Sequence, residues 1–138
     1  MIDINRIRNN KEEVEKALLK RMDNVNLNEL LEWDKEKRQI GTLMDQYRAE
    51  RRKASDKIAD LKKAGENTDD IVKEMKELGT KIDEGMIKYN ELDKKIFDYL
   101  ALLPNTPDDD VPAGGKENNE VLRTNLEQPK FNFELKPH

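Results

Sequence analysis

The chain has 138 residues, of which 41% are charged and 5% aromatic, with a formal net charge of −4 and no cysteine. That is too polar for a thick globular core, and it excludes disulfides and thiolate metal sites. The single histidine is the last residue, His138, so a histidine-based triad or a histidine-rich metal site is excluded as well.

Met1-Ile2-Asp3-Ile4-Asn5 lacks a basic-then-apolar leader, and no apolar run approaches the roughly 20 residues that span a bilayer. The expectation is a cytoplasmic protein with no membrane partner. A short helix follows Asp3. Asn10 with Glu13 has capping-box spacing, so a second helix starts there and continues through Val14, Ala17 and Leu18. Asn24-Val25-Asn26 interrupts it. Asn26 with Glu29 repeats the cap signature, and Val25 with Leu30 has staple spacing, which starts a long helix near Leu27. From there seam positions alternate in steps of three and four: Leu30, Trp33, Lys37, Ile40, Met44, Tyr47, Arg51, Ala54, Ile58, Leu61. More than four heptads of this kind specify a coiled-coil seam. Ala64-Gly65 stops the helix, and Thr68 caps the next, with Asp69 and Asp70 at its positive end. The second seam runs from Ile71 to Leu103, and Pro104 ends it.

Two long helices, about 27–64 and 68–103, joined by a short turn must lie antiparallel. The fold class is therefore all-α: a long two-helix coiled-coil hairpin, with the short N-terminal helices packed at its base and an extended C-terminal linker. Folding about residue 66 pairs Ile58 with Met75, Tyr47 with Gly85, Met44 with Tyr89, Lys37 with Ile96 and Trp33 with Tyr99. One flank then aligns Glu36 with Lys95, Glu50 with Lys81 and Lys57 with Glu74. Phe97 and Leu100 are placed to receive Ile4, Ile7, Val14 and Leu18. Residues 1–103 form the helical domain. Residues 104–138 hold all five prolines and the Asp108-Asp109-Asp110 run, which argue for irregular chain. Val121-Leu122-Arg123 and Phe131-Asn132-Phe133 read as short strand pieces at the edge of a further domain.

Charge is segregated along this plan. Residues 35–63 hold 10 basic and 5 acidic side chains, whereas residues 64–138 hold 10 basic and 17 acidic. On the other flank of the first long helix, Arg38, Gly41, Asp45, Arg48, Arg52, Ser55, Ala59 and Lys62 follow at steps of three and four, forming one stripe. Small residues let a phosphate backbone approach and arginine forks grip its oxygens. Lys53, Lys57 and Lys63 add charge nearby, and Arg51 and Lys37 interrupt the seam. This suits a surface that tracks RNA through phosphates and shape. A cationic stripe is also what an ordinary solvated coiled-coil face carries, so a structural spacer or protein-interaction module is the alternative. The seam aromatics Trp33, Tyr47, Tyr89 and Tyr99 read as packing. The column Glu77, Glu84, Glu91, Asp98 is spaced about 10 Å apart, too far for a paired-carboxylate site. No catalytic or metal residue is expected.

The order of pieces resembles one family. Met1-Ile2-Asp3-Ile4 with Ile7-Arg8 looks like the opening of bacterial-type seryl-tRNA synthetases. Arg48-Ala49-Glu50-Arg51-Arg52-Lys53-Ala54-Ser55 resembles the basic motif of that family's first arm helix, and Lys62-Lys63-Ala64-Gly65-Glu66 its hairpin tip. Leu103-Pro104-Asn105, Pro107, Val111-Pro112 and Gly114 resemble its linker. Asn119-Glu120-Val121, Arg123 and Phe131-Asn132-Phe133 through Lys136-Pro137-His138 resemble the start of its catalytic domain. Arg52 stands where the family often has asparagine, Asp56 where lysine is common and Asn125 where glycine is frequent. The resemblance implies a tRNA-binding arm that holds the long variable arm and elbow of serine tRNA, with selenocysteine tRNA a further candidate. It implies contacts from Arg38, Arg48, Arg51, Arg52, Lys53, Ser55, Lys57, Lys62 and Lys63. For the parent it implies ATP- and Mg²⁺-dependent serine–tRNA ligation on a class II domain beyond this chain, and a homodimer formed through that domain. No cofactor and a monomeric state are expected of the present chain.

Overall fold

A computed structural model describes residues 1–127 and 130–134. Four α-helices are present among them: α1 (Ile4–Asn9), α2 (Lys11–Leu18), α3 (Asn28–Ala64) and α4 (Asp69–Leu102). α3 and α4 pack along their length as a hairpin. At 37 residues α3 is about 55 Å long.

Three helix starts use the same device. Asp3 caps α1, its Oδ1 accepting from the Asn5 amide at 2.8 Å. Before α3, Asn26 Oδ1 accepts from the Asn28 amide at 3.1 Å, and before α4, Asn67 Oδ1 accepts from the Asp69 amide at 2.7 Å. Before α3 this Asx turn takes the place of the expected Asn26–Glu29 capping box. Neither Asn10 nor Thr68 makes a side-chain cap, and Glu13 instead accepts from the Arg6 guanidinium at 3.0 Å. Gly65 ends α3 as expected, with φ +75, the Gly65 amide donating to the Lys62 carbonyl and the Glu66 amide to the Leu61 carbonyl. A left-handed residue is needed there to fold the chain back onto its last turn, and glycine adopts it without a Cβ clash.

The core is concentrated at the base. Ile7, Val14, Leu18, Leu27 and Leu30 are fully buried, with Ile2, Ile96, Leu100 and Leu103 against them. Leu100 thus receives the N-terminal helices as expected. Phe97 does not: it is 57% exposed. It lies one residue after buried Ile96, and a 100° step along a helix turns it off the packed face.

The register holds at the base and drifts beyond it. Trp33 and Tyr99 meet edge-to-face with centroids 5.9 Å apart. Further out, a Cβ on Gly85 would lie 3.0 Å from Met44 Cγ and 3.8 Å from Ile40 Cγ2, so Gly85 makes room for Met44 rather than for Tyr47. Tyr47 lies instead under the Lys81 ammonium. The expected flank pairs give way to Glu36–Lys88 at 2.6 Å and Lys37–Asp93. Over this stretch each α4 residue therefore sits up to about one turn nearer the base than even counting about the turn places it. Even counting treats the turn as if it rose like a helix. Extended residues advance about 3.3 Å each against about 1.5 Å in a helix, so a non-helical Glu66-Asn67-Thr68 displaces the partner by several positions.

Among the described residues beyond Leu103 the chain is irregular apart from a single 3₁₀ turn, Lys116–Asn118. No strand forms among the described residues. Val121 and Leu122 are exposed, and Phe131 and Phe133 pack only their rings together, 5.2 Å apart. A strand needs a partner edge for its backbone groups, and the described chain offers none. Pro129 and the Lys136-Pro137-His138 stretch lie outside the described residues.

Candidate nucleic-acid interface

The cationic segment of α3 is divided by the seam into two grooves. On one flank, Arg48, Arg51, Arg52 and Ser55 face Met75 and Ile82 of α4 across a groove of about 420 Å³. No carboxylate lines it. Arg51 is a seam residue, yet its stem lies across α4 and brings its guanidinium to 4.0 Å from where a Cβ on Gly79 would stand. Long cationic side chains at seam positions escape burial in this way. Among the described residues neither Arg51 nor Arg52 has an ion-pair partner, and Arg48 is held only by exposed Asp45, one turn back, at 2.9 Å. An exposed pair of this kind costs little to break.

On the opposite flank Lys53 and Lys57 share a smaller groove, about 240 Å³, with Glu50, Ala54, Ile71 and Glu74. Two ammonium groups there face two carboxylates. Lys62 and Lys63 stand exposed in the last turn of α3, Lys63 near Asp60 at 3.7 Å. The nine residues singled out from sequence thus fall in four places, and only Arg48, Arg51, Arg52 and Ser55 converge.

Arg38, the ninth, belongs to the base. Its Nε donates to Asp34 Oδ2 at 3.1 Å. The same carboxylate accepts two bonds from Arg8, Nε at 2.9 Å and Nη2 at 2.8 Å. Burial pushes the Asp34 carboxyl up, but the bonds and charge of Arg8, with Arg38 behind them, outweigh it and hold the group below the usual carboxylate range. The hydrogen bond to Asp34 likewise raises Arg8 against the cost of burial. Asp34 was missed from sequence because Arg8 lies 26 residues away; the Asp34–Arg38 spacing of four was the available signal. Lys37, the other cation on the seam, reaches Asp93 across the Tyr89 ring, 5.0 Å from its centroid. Burial lowers its pKa, and Asp93 and Tyr89 more than restore it.

A second missed feature joins the N-terminal helices to the linker. The Lys20 ammonium, just beyond α2, donates to the carbonyls of Asp108, Asp109 and Val111 at 3.3, 2.9 and 3.2 Å. The Gly114 amide donates back to the Lys20 carbonyl. Arg21 reaches the Asn105 carbonyl at 3.1 Å and Arg6 the Thr106 hydroxyl at 3.1 Å. No helix is long and apolar enough to cross a membrane among the described residues.

These features have counterparts in known proteins. Residues 1–107 match the model of the seryl-tRNA synthetase N-terminal domain. Serine–tRNA ligase 2 of Clostridium acetobutylicum is 40% identical, over the whole of this chain and 33% of its own length. Serine–tRNA ligase of Finegoldia magna is 37% identical over the same shares. The chain spans about a third of the length of these relatives. A crystal structure of seryl-tRNA synthetase from Pyrococcus horikoshii complexed with ATP superimposes with a TM-score of 0.78 at 36% identity, covering 86% of this chain and 27% of that one. The hairpin, its packed base and the likeness along its whole length come together in one assignment: the chain belongs to the seryl-tRNA synthetase N-terminal domain family.

Proposed function

We propose that this chain is the tRNA-binding arm of a cytoplasmic serine–tRNA ligase, with residues 1–103 as the arm and residues 104–138 leading into a class II catalytic domain. The observation that carries the reading is the convergence of Arg48, Arg51 and Arg52 on one groove without a lining carboxylate. Guanidinium forks suit phosphate oxygens, and a rigid hairpin holds them at fixed spacing. The arm receives serine tRNA along its long variable arm and elbow and so presents the acceptor end to the catalytic domain. Names of relatives that are serine–tRNA ligases support this. The parent works as a homodimer through its catalytic domain, while the hairpin consumes its own seam and leaves this chain monomeric.

ATP and Mg²⁺ belong to that catalytic domain. Among the described residues no group of three His, Cys, Asp or Glu side chains could hold a metal ion. The test is tRNA affinity measured against salt. Wild-type chain binds a long-variable-arm tRNA weakly, in preference to a short-armed one, with a steep salt slope. Replacing Arg48 and Arg52 with glutamine lowers that slope by somewhat less than 2, at about 0.7–0.9 per phosphate contact. Binding that is unchanged by the double substitution rejects the reading.

A further inference from the structure

Resting on that reading, we propose that the groove of Arg48, Arg51, Arg52 and Ser55 over Met75 and Ile82 seats the base or ribose of a single nucleotide, so that the arm engages RNA on this flank alone. Three observations lead there. The groove floor is apolar, formed by Met75 and Ile82, while its rim carries three guanidinium groups and the Ser55 hydroxyl. Phosphates satisfy the rim but cannot cover the floor. A sugar face or an unstacked base can do so, and apolar surface in a cationic cleft is the usual platform for one. Second, the Arg51 guanidinium at the groove's edge lies 4.0 Å from where a Cβ on Gly79 would stand, so a larger side chain there would press on it. Third, the opposite groove is lined by two carboxylates, Glu50 and Glu74, as well as by Lys53 and Lys57, so its formal charges sum to zero. A polyanion gains nothing by lying there. Lys53 and Lys57 are thereby assigned to solubility and the hairpin flank rather than to RNA.

The experiment fills the groove without removing charge. Gly79→Leu and, from the other helix, Ser55→Leu are each measured for tRNA affinity across a salt series, with helical melting followed by circular dichroism. Each weakens tRNA binding at least about fivefold, the loss of one base contact, with the salt slope unchanged and the melt no lower than wild type. Lys53→Ala with Lys57→Ala leaves affinity within about twofold. Wild-type affinity in both filled variants, or a loss that comes with a shallower slope, overturns the nucleotide seat. Loss of binding on removing Lys53 and Lys57 overturns the one-sided engagement. Either result leaves the arm assignment standing, because that assignment fails only if the arginine substitutions have no effect.

Discussion

The Asp34 side chain is only 7% exposed and sits between the guanidinium groups of Arg8 and Arg38, which approach from α1 and from the next turn of α3. It ties the N-terminal helix to the hairpin by a two-pronged bond. Removing its charge while keeping its shape leaves two cations facing an amide. Asp34→Asn lowers stability by about 2 kcal/mol at pH 7, within the range for a hydrogen-bonded charge partly shielded from water. The pH dependence has a definite sign. The folded carboxyl is depressed, so its contribution is complete above the ordinary carboxylate range of about 4 and disappears as pH falls through the lower folded value. Denaturant titrations of wild type and variant at pH 7 and pH 3 show a narrower gap at pH 3. A constant gap contradicts the ion-pair account. Residue-scale features of this kind were poorly legible in the sequence, since they depend on which side chains the tertiary fold brings together.

At the scale of elements, the heptad rows of α3 and α4 were readable because their repeat is long. The helix ends were readable because asparagine, aspartate and glycine act locally. The contact partners between the helices were not, since the axial length of the turn is invisible in a residue count. Gly85 shows the difference. It lies opposite Met44 and Ile40, and a Cβ would press on Met44 Cγ at 3.0 Å. Gly85→Leu therefore lowers the melting stability by about 1–3 kcal/mol, even though leucine favours helix. Met44→Ala in the same chain recovers part of the loss, because it opens the space that leucine needs. A double-mutant cycle checks this, with a coupling energy of at least about 0.5 kcal/mol expected. If the leucine couples to Tyr47→Ala instead, the register expected from sequence is the true one.

Across the whole molecule, burial is graded. Among the described residues every fully buried side chain lies at the base, whereas the distal seam residues Ala54, Ile58, Leu61, Ile71 and Met75 are only half-buried. The family and the hairpin were legible from the whole chain, while the candidate site was legible only in part. Helical spacing gathered Arg48, Arg52 and Ser55, but it could not show that Arg51 crosses to Gly79 or that Lys53 and Lys57 lie in a charge-balanced groove. The joint at the base was not legible at all, since a lysine bonded to main chain leaves no pattern of its own. Lys20→Met frees the loop of residues 108–114, and limited proteolysis there speeds up several-fold while the hairpin melt is unchanged. Equal cleavage rates contradict a holding role for the amine.

That amine holds carbonyl oxygens and no side chains, so the joint is indifferent to what residues 108, 109 and 111 are. The acidic run can be rewritten as long as the loop keeps its path. Acetylating one nitrogen atom would release the three carbonyls, because an amide retains one donor where the ammonium has three. The hold on residues 108–111 is keyed to a single proton-rich group.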